Sequence, residues 1–555
     1  TDASLGVGFD NMNTLQGTSN NDSLTAFGID NVWKITAANE GSLNDILTFK
    51  SIEKLVGGSA KDALDYSNYT NALDIQVTGA GSIDGYAGTD ASLGVGFDNM
   101  NTLQGTSNND SLTAFGIDNV WKITAANEGS LNDILTFKSV ENLNGGVKAD
   151  LFIFSDGMGV DGTIDGGLGD ANTFDYSAYG QANPVVVDLN SGIGTGTAAL
   201  LYIQNLIGGQ GDDTLLGDAA ANRLDGGLGN DLLSGTSGND TYIFNDVWGQ
   251  DEIVELANGG TDTLDFSALP SSLTFTFSSD LQVSDGNGNT LLQSITNLEN
   301  VLAGLGDDLI NVLDGAVFTG VLDGGTGDDL LDLSDYSSSI LFDLALNTVT
   351  ASGINLTISK IENYIGGSGD DQFNSSSADE ILSGGPGDDA YNFYDGWGKD
   401  TVFESADNGI DTFDFSLVTR KLQIILGSII VKDDLGNTVT YLGDSVEQFL
   451  GGVEDDVIAF GTDGEEFANG LGTIDGGGGQ NTLDYSAYTT SVQVDLLAGT
   501  ATGTAGVTNI LNLIGGSGAD ILSGDLLDNH INGGEGDDTL NGNDGQDTLV
   551  GDNGN

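Results

Sequence analysis

One nine-residue pattern constrains this chain more than any other feature. Read in register from Gly208, the sequence runs GGQGDDTLL, GDAAANRLD, GGLGNDLLS and GTSGNDTYI. From Gly366 it runs GGSGDDQFN, SSSADEILS and GGPGDDAYN; from Gly515 it runs GGSGADILS, GDLLDNHIN, GGEGDDTLN and GNDGQDTLV. The consensus is G-G-x-G-x-D-x-U-x, with U a large apolar residue. Six residues make a turn whose glycines reach backbone conformations closed to other residues. Three make a short strand whose central side chain points inward, and Leu215, Leu233, Phe373, Leu522 and Leu540 hold that position. Two nonamers make one coil of eighteen residues, so turns eighteen apart stack on the same edge. Such a unit buries its apolar face only against its neighbours. The prediction is all-β: a right-handed parallel β-solenoid of the β-roll or β-helix kind.

Longer repeats surround the nonamers. Residues 1–51 and 89–139 are identical, and similarity continues through Glu53/Glu141, Leu55/Leu143 and Gly57-Gly58/Gly145-Gly146. A second repeat has an offset of 149: the phrase from Gly235 matches the phrase from Gly384, Trp248 matches Trp397, DFS at 265–267 matches 414–416, and DYS at 335–337 matches 484–486. Between the arrays, 273–304 and 481–516 alternate apolar and polar residues with period two, as wider β-rungs would. The expected organisation is a first solenoid copy at 1–88, a second at 89–165, wide rungs at 166–207, a nonamer roll at 208–243, wide rungs with isolated turns at 244–365, a second roll at 366–392, wide rungs at 393–514 and a third roll at 515–555. Repeats cut at both ends make the sequence read as a window on a longer protein.

Charge narrows the partners. There are 84 Asp+Glu against 13 Lys+Arg, a formal net charge of -71. A phosphate backbone or an anionic membrane surface would be repelled, so neither nucleic acid nor membrane insertion is expected. No apolar run reaches the length of a membrane-spanning helix. The absence of Cys removes disulfides and thiolate metal sites. High net charge alone would indicate disorder, but 38% hydrophobic content and acids set at fixed turn positions argue for a fold.

The eleven nonamers resemble the RTX (haemolysin-type calcium-binding nonapeptide repeat) family, found in giant repetitive bacterial surface and extracellular proteins. The resemblance implies several Ca2+ ions, each between two stacked turns, held by turn carbonyls and the sixth-position carboxylates of both. Carried onto this sequence, Gly208, Gly209, Gly211 and Asp213 pair with Gly226, Gly227, Gly229 and Asp231. Gly366, Gly367, Gly369 and Asp371 pair with Gly384, Gly385, Gly387 and Asp389. Gly515, Gly516, Gly518 and Asp520 pair with Gly533, Gly534, Gly536 and Asp538. On the opposite edge Asn222 faces Asp240 and Asn529 faces Asp547, where a neutral oxygen and the missing second Gly make weaker or empty sites. Glu380 departs from the pattern. The isolated turns at Asp308, at Asp456 and at Gly324, Gly325, Gly327 and Asp329 are read as single-ion sites, and the degenerate LQGTSNND turns at Asp22 and Asp110 as marginal ones.

No H-E-x-x-H or G-x-S-x-G is present, and His530 is the only histidine, so no enzyme is expected. Tyr242, Phe244 and Trp248, repeated as Tyr391, Phe393 and Trp397, read first as core and second as a sugar-stacking surface. The functional expectation is a calcium-binding extracellular structural protein, a segment of a bacterial surface layer, sheath, filament or giant adhesin, folding on calcium after type I-like secretion. Its expected partners beyond calcium are other copies of itself or cell-surface polysaccharide. The alternatives are a secretion and folding module of a type I-secreted toxin or hydrolase, and a carbohydrate-binding surface module.

Overall fold

The computed structural model describes residues 12–554 except 246, 257–258, 295–296, 405–408, 427–428, 444–445, 465 and 471. The first eleven residues of the duplicated block and the last residue of the third roll lie outside the described residues. Two compact units are present, Thr1–Phe266 with Asn287–Asn297, and Ser267–Gly286 with Leu298–Asn555. Each is a parallel β-solenoid.

In the first unit the strand Asn205–Ile207 stacks on Arg223–Asp225, then on Thr241–Ile243 and Thr263–Asp265, in the register Leu206↔Leu224↔Tyr242↔Leu264. The facing sheet runs Val187↔Leu215↔Leu233↔Ile253. The three-residue strands leave one inward side chain each, and Leu206, Leu215, Leu224, Leu233 and Tyr242 are fully buried. In the second unit the inward positions form an aromatic column, Phe342↔Phe373↔Tyr391↔Phe413↔Phe449. Phe342 and Phe373 stack with centroids 4.4 Å apart, and Phe373 stacks on Tyr391 at 5.1 Å. Leu522 is buried as expected, whereas Leu540 in the last described coils is only half-buried.

The wide rungs are not parallel throughout. Three-stranded antiparallel meanders are spliced into the coil. Asn119–Ala125 pairs forward with Asp150–Phe154, turns back through Glu128–Leu131, and Leu135–Lys138 stacks on the earlier strand Thr102–Gln104. One visit therefore adds three strands to a sheet. The turns explain it: Asn127 (φ 58), Asn132 (φ 53) and Asp133 (φ 57) adopt the left-handed region that tight hairpins need and that Asn and Asp tolerate. The facing sheet carries the same splice at Asp74–Ala80, Tyr86–Asp90 and Leu93–Met100. The second unit has it at Leu341–Asp343, Thr348–Ala351 and Ile354–Ser359.

Two further readings change. The corner made by Asp484-Tyr485-Ser486, in which the Ser486 N–H donates to Asp484 Oδ1, is matched in the earlier repeat by Asp332-Leu333-Ser334. The DYS phrase at 335–337 falls one turn later, where the Tyr336 N–H donates to the Leu333 carbonyl as that of Tyr488 does to Tyr485. The structural offset there is thus 152, not 149. Trp248 and Trp397 are 2% and 1% exposed. They pack edge-on against Phe244 and Phe266, and against Phe393 and Phe415. Buried indoles offer no face to a sugar, which leaves them the core role.

Candidate metal centres

One bond recurs from coil corner to coil corner among the described residues. The backbone N–H of the corner residue donates to the side-chain oxygen of the corner residue one coil later. Asp213 donates to Asp231 at 2.7 Å, Asp371 to Asp389 at 2.7 Å and Asp520 to Asp538 at 2.9 Å. The expected pairs are therefore in contact, and each pair is asymmetric although both turns are spelled GGxGxD.

In the first turn both carboxylate oxygens are used. Asp213 Oδ2 accepts the Gly209 N–H and Oδ1 the Val185 N–H. Asp371 accepts from Gly367 and Ile340, and Asp520 from Gly516 and Val492. In the second turn Oδ2 of Asp231, Asp389 and Asp538 is buried with no hydrogen-bond partner. The glycines differ accordingly. Gly227 (φ 85) and Gly229 (φ 138) are left-handed, as are Gly385, Gly387, Gly534 and Gly536, while Gly209, Gly211 and their counterparts are not. The second turn nests on first-turn carbonyls: a Cβ on Gly227 would lie 2.4 Å from the Gly209 carbonyl oxygen, and one on Gly229 2.1 Å from that of Gly211. The same holds for Gly385 over Gly367 and Gly534 over Gly516. Only glycine leaves these oxygens facing an open cradle.

Burial drives the acids upward. It raises Asp231 and Asp389 to about 8, with neighbouring carboxylates adding to the effect. Asp371 is raised to about 6, and Asp213 and Asp520 are raised as well, each chiefly by burial. A buried carboxylate without a partner is costly, so at neutral pH Asp231 and Asp389 each hold a proton or a cation. Clustered carboxylate and carbonyl oxygens are the donor set of a hard divalent cation such as Ca2+. The residues fit that ion: the sixth-position acids and the first-turn carbonyls would hold it, supplying cross-links between coils.

The supposedly isolated turns prove to be paired. The Asp308 N–H donates to Asp329 Oδ1 at 2.8 Å, Asp308 Oδ2 accepts from Gly304, and Asp329 Oδ2 is buried without a partner. Gly325 and Gly327 are left-handed over the Gly304 and Gly306 carbonyls. This is a fourth pair of the same design, hidden in the sequence because its acids are 21 residues apart. Asp456 stacks instead on an amide, donating to Asn481 Oδ1. On the opposite edge Asn222 donates to Asp240 and Asn529 to Asp547 as expected, but each Asn oxygen already accepts an N–H within its own turn. The Glu380 N–H donates to Asp400 Oδ1. Asp110 accepts from Thr106 and Leu73, which occupies both oxygens, and Asp22, only half-buried, accepts from Thr18. Sequence reasoning missed Asp251, Asp262 and Asp411, buried acids that continue these ladders below Asp231, Asp240 and Asp389. They lie in or just before strands outside any nonamer, and only their place in the stack marks them.

A family model for the RTX calcium-binding nonapeptide repeat matches residues 207–242, 360–391 and 523–555, in four copies. The chain carries RTX calcium-binding repeats. No curated protein matches it. The matched RTX segments contain the 213/231 and 371/389 pairs and, of the last pair, Asp538; the 308/329 pair lies outside them.

Proposed function

We propose that this RTX chain is a calcium-dependent extracellular structural protein, a segment of a bacterial surface layer, sheath, filament or giant adhesin, secreted by a type I-like route. The observation that carries the reading is the buried, unpartnered Oδ2 of Asp231, Asp329, Asp389 and Asp538, each in a glycine cradle between stacked turns. Where calcium is scarce the acids repel and the arrays stay open; where it is abundant, ion binding becomes folding free energy. The duplication supports a structural role. Trp33 packs on Phe49 at 6.0 Å and Trp121 on Phe137 at 5.9 Å, so the identical block builds the same rung twice and adds length. The reading assigns no catalysis here; His530 stands exposed between Asn512 and Thr548.

Circular dichroism in EGTA, followed by millimolar calcium, tests the mechanism: β signal is expected to be reduced and then restored. A chain fully β-structured in EGTA and unchanged by calcium refutes it. Immunogold labelling with antibodies against the duplicated block tests location. Surface label is expected, and label confined to the cell interior sinks the surface role.

A further inference from the structure

We propose that Asp240, Glu255 and Asp262 form a divalent-cation site beyond the paired acid turns, and that the 149-residue repeat carries it again as Asp389, Glu404 and Asp411, where Asp389 is shared with the 371/389 pair. The inference rests on the calcium reading above and extends it to Glu255, Asp262, Glu404 and Asp411, which lie outside the nonamer pattern.

The three carboxylates of the first copy each offer an oxygen within 4.8 Å of the others. Asp240 and Asp262 come from successive coils and are each 1% exposed, with the Asp240 N–H donating to Asp262 Oδ1 at 2.8 Å. Asp240 Oδ2 has no hydrogen-bond partner and neither does Glu255 Oε2. No Lys or Arg side chain forms an ion pair with Asp240 or Glu255 among the described residues. Glu255 follows the strand Gln250–Ile253 and is held in place by Tyr242, whose hydroxyl donates to it while accepting the Gly235 N–H at 2.6 Å. Gly235 keeps the space open, since a Cβ there would lie 2.1 Å from Asp240 Oδ2.

The second copy repeats each part. The Tyr391 hydroxyl donates to Glu404 and accepts from Gly384, and the Asp389 N–H donates to Asp411 Oδ1 at 3.0 Å. A Cβ on Gly384 would meet Asp389 Oδ2 at 2.3 Å and Glu404 Oε1 at 2.6 Å. Three clustered acids, of which Asp240 and Glu255 keep a buried oxygen without a partner, with no thiol or imidazole among them, select a hard, oxygen-seeking cation, for which Ca2+ is the natural occupant. The first copy isolates the idea, because Asn222 stands where a calcium turn would place an acid.

The experiment counts calcium bound by the full chain in equilibrium dialysis at saturating calcium, with circular dichroism to check the fold. Glu255→Gln should lose one ion per chain, and Glu255→Gln with Glu404→Gln two. Tyr242→Phe, which leaves every acid in place, should keep the count but weaken one site about tenfold or more, as loss of an outer-shell partner does. An unchanged ion count in folded Glu255→Gln overturns the site and leaves the glycine-turn sites standing. Parental affinity at every site in Tyr242→Phe also overturns it. A parent chain that binds no calcium removes the proposed function and this site together.

Discussion

The nonamer arrays and the duplicated block use the same corner bond with different chemistry. In the arrays acid stacks on acid: Asp213, Asp231 and Asp251 in one ladder, Asp371, Asp389 and Asp411 in another. In the duplicated block and the rungs after it, one ladder alternates acids with amides: Asn31, Asp62 and Asn101, then Asn119, Asp150, Asn172 and Gln204, while the other corner of the block sets Asp22 on Glu53 and Asp110 on Glu141. An amide gives and accepts hydrogen bonds without charge, so along the amide ladder Asp62 and Asp150 have no carboxylate one coil away. Asp150 does have a buried Oδ2 without a partner, but a single proton satisfies it. The arrays concentrate like charge and need protons or a cation to offset it; the amide ladders carry less charge to offset. The difference teaches that the solenoid geometry and its calcium dependence are separable properties of one corner.

The largest expected effect is regional. In EGTA, hydrogen exchange of the full chain should be fast across 205–243 and slow across 102–154, and calcium at a hundred times its dissociation constant should slow the first about 100-fold. Uniform protection across both regions in EGTA would break the comparison. Next comes a change of sign. Asp231→Asn removes the unpartnered carboxylate, so denaturant unfolding should show the array more stable in EGTA and less stable in calcium, by about 1–3 kcal/mol each way. Asn119→Asp, which puts acid on acid beside Asp150, should cost a similar amount that calcium fails to restore, because Asn119 lies outside the paired glycine turns.

A pH dependence follows from the raised acids. Burial lifts Asp231 and Asp389 to about 8 in the folded state, above the unfolded value of about 3.9. Their contribution is complete below the unfolded value and is lost as pH rises through the folded one. The melting temperature in EGTA should therefore fall between pH 5 and pH 8, and calcium should flatten the slope. Asp150, raised to about 6 mainly by burial, adds a smaller loss centred earlier in that range. The smallest effect concerns packing at the end of the stack: Leu540→Ala should cost well under the roughly 2–5 kcal/mol of a fully buried leucine such as Leu522, since Leu540 is only half-buried.

The nonamer register made the stacked acids legible, because a period of nine leaves few ways to place a glycine turn and one inward side chain. It also located the pairs at 213/231, 371/389 and 520/538. The pair at 308/329 escaped because its coil is longer than eighteen residues, and a longer coil hides a stacking partner from any fixed period. The meanders escaped for another reason. Asn127, Asn132 and Asp133 are turn residues in any reading, but which strand the chain returns to depends on neighbours 30 or more residues away.

The sequence by itself determined the all-β solenoid, the inward column of apolar residues and the acidic corners, because each follows from local periodicity and from what glycine and aspartate can do at a turn. The tertiary structure decided which oxygen of each acid is spent and which is left open. Two turns with the same spelling differ because one leans on the preceding rung and the other on a turn like itself. Only stacking tells Asp213, with both oxygens bonded, from Asp231, whose buried Oδ2 has no partner.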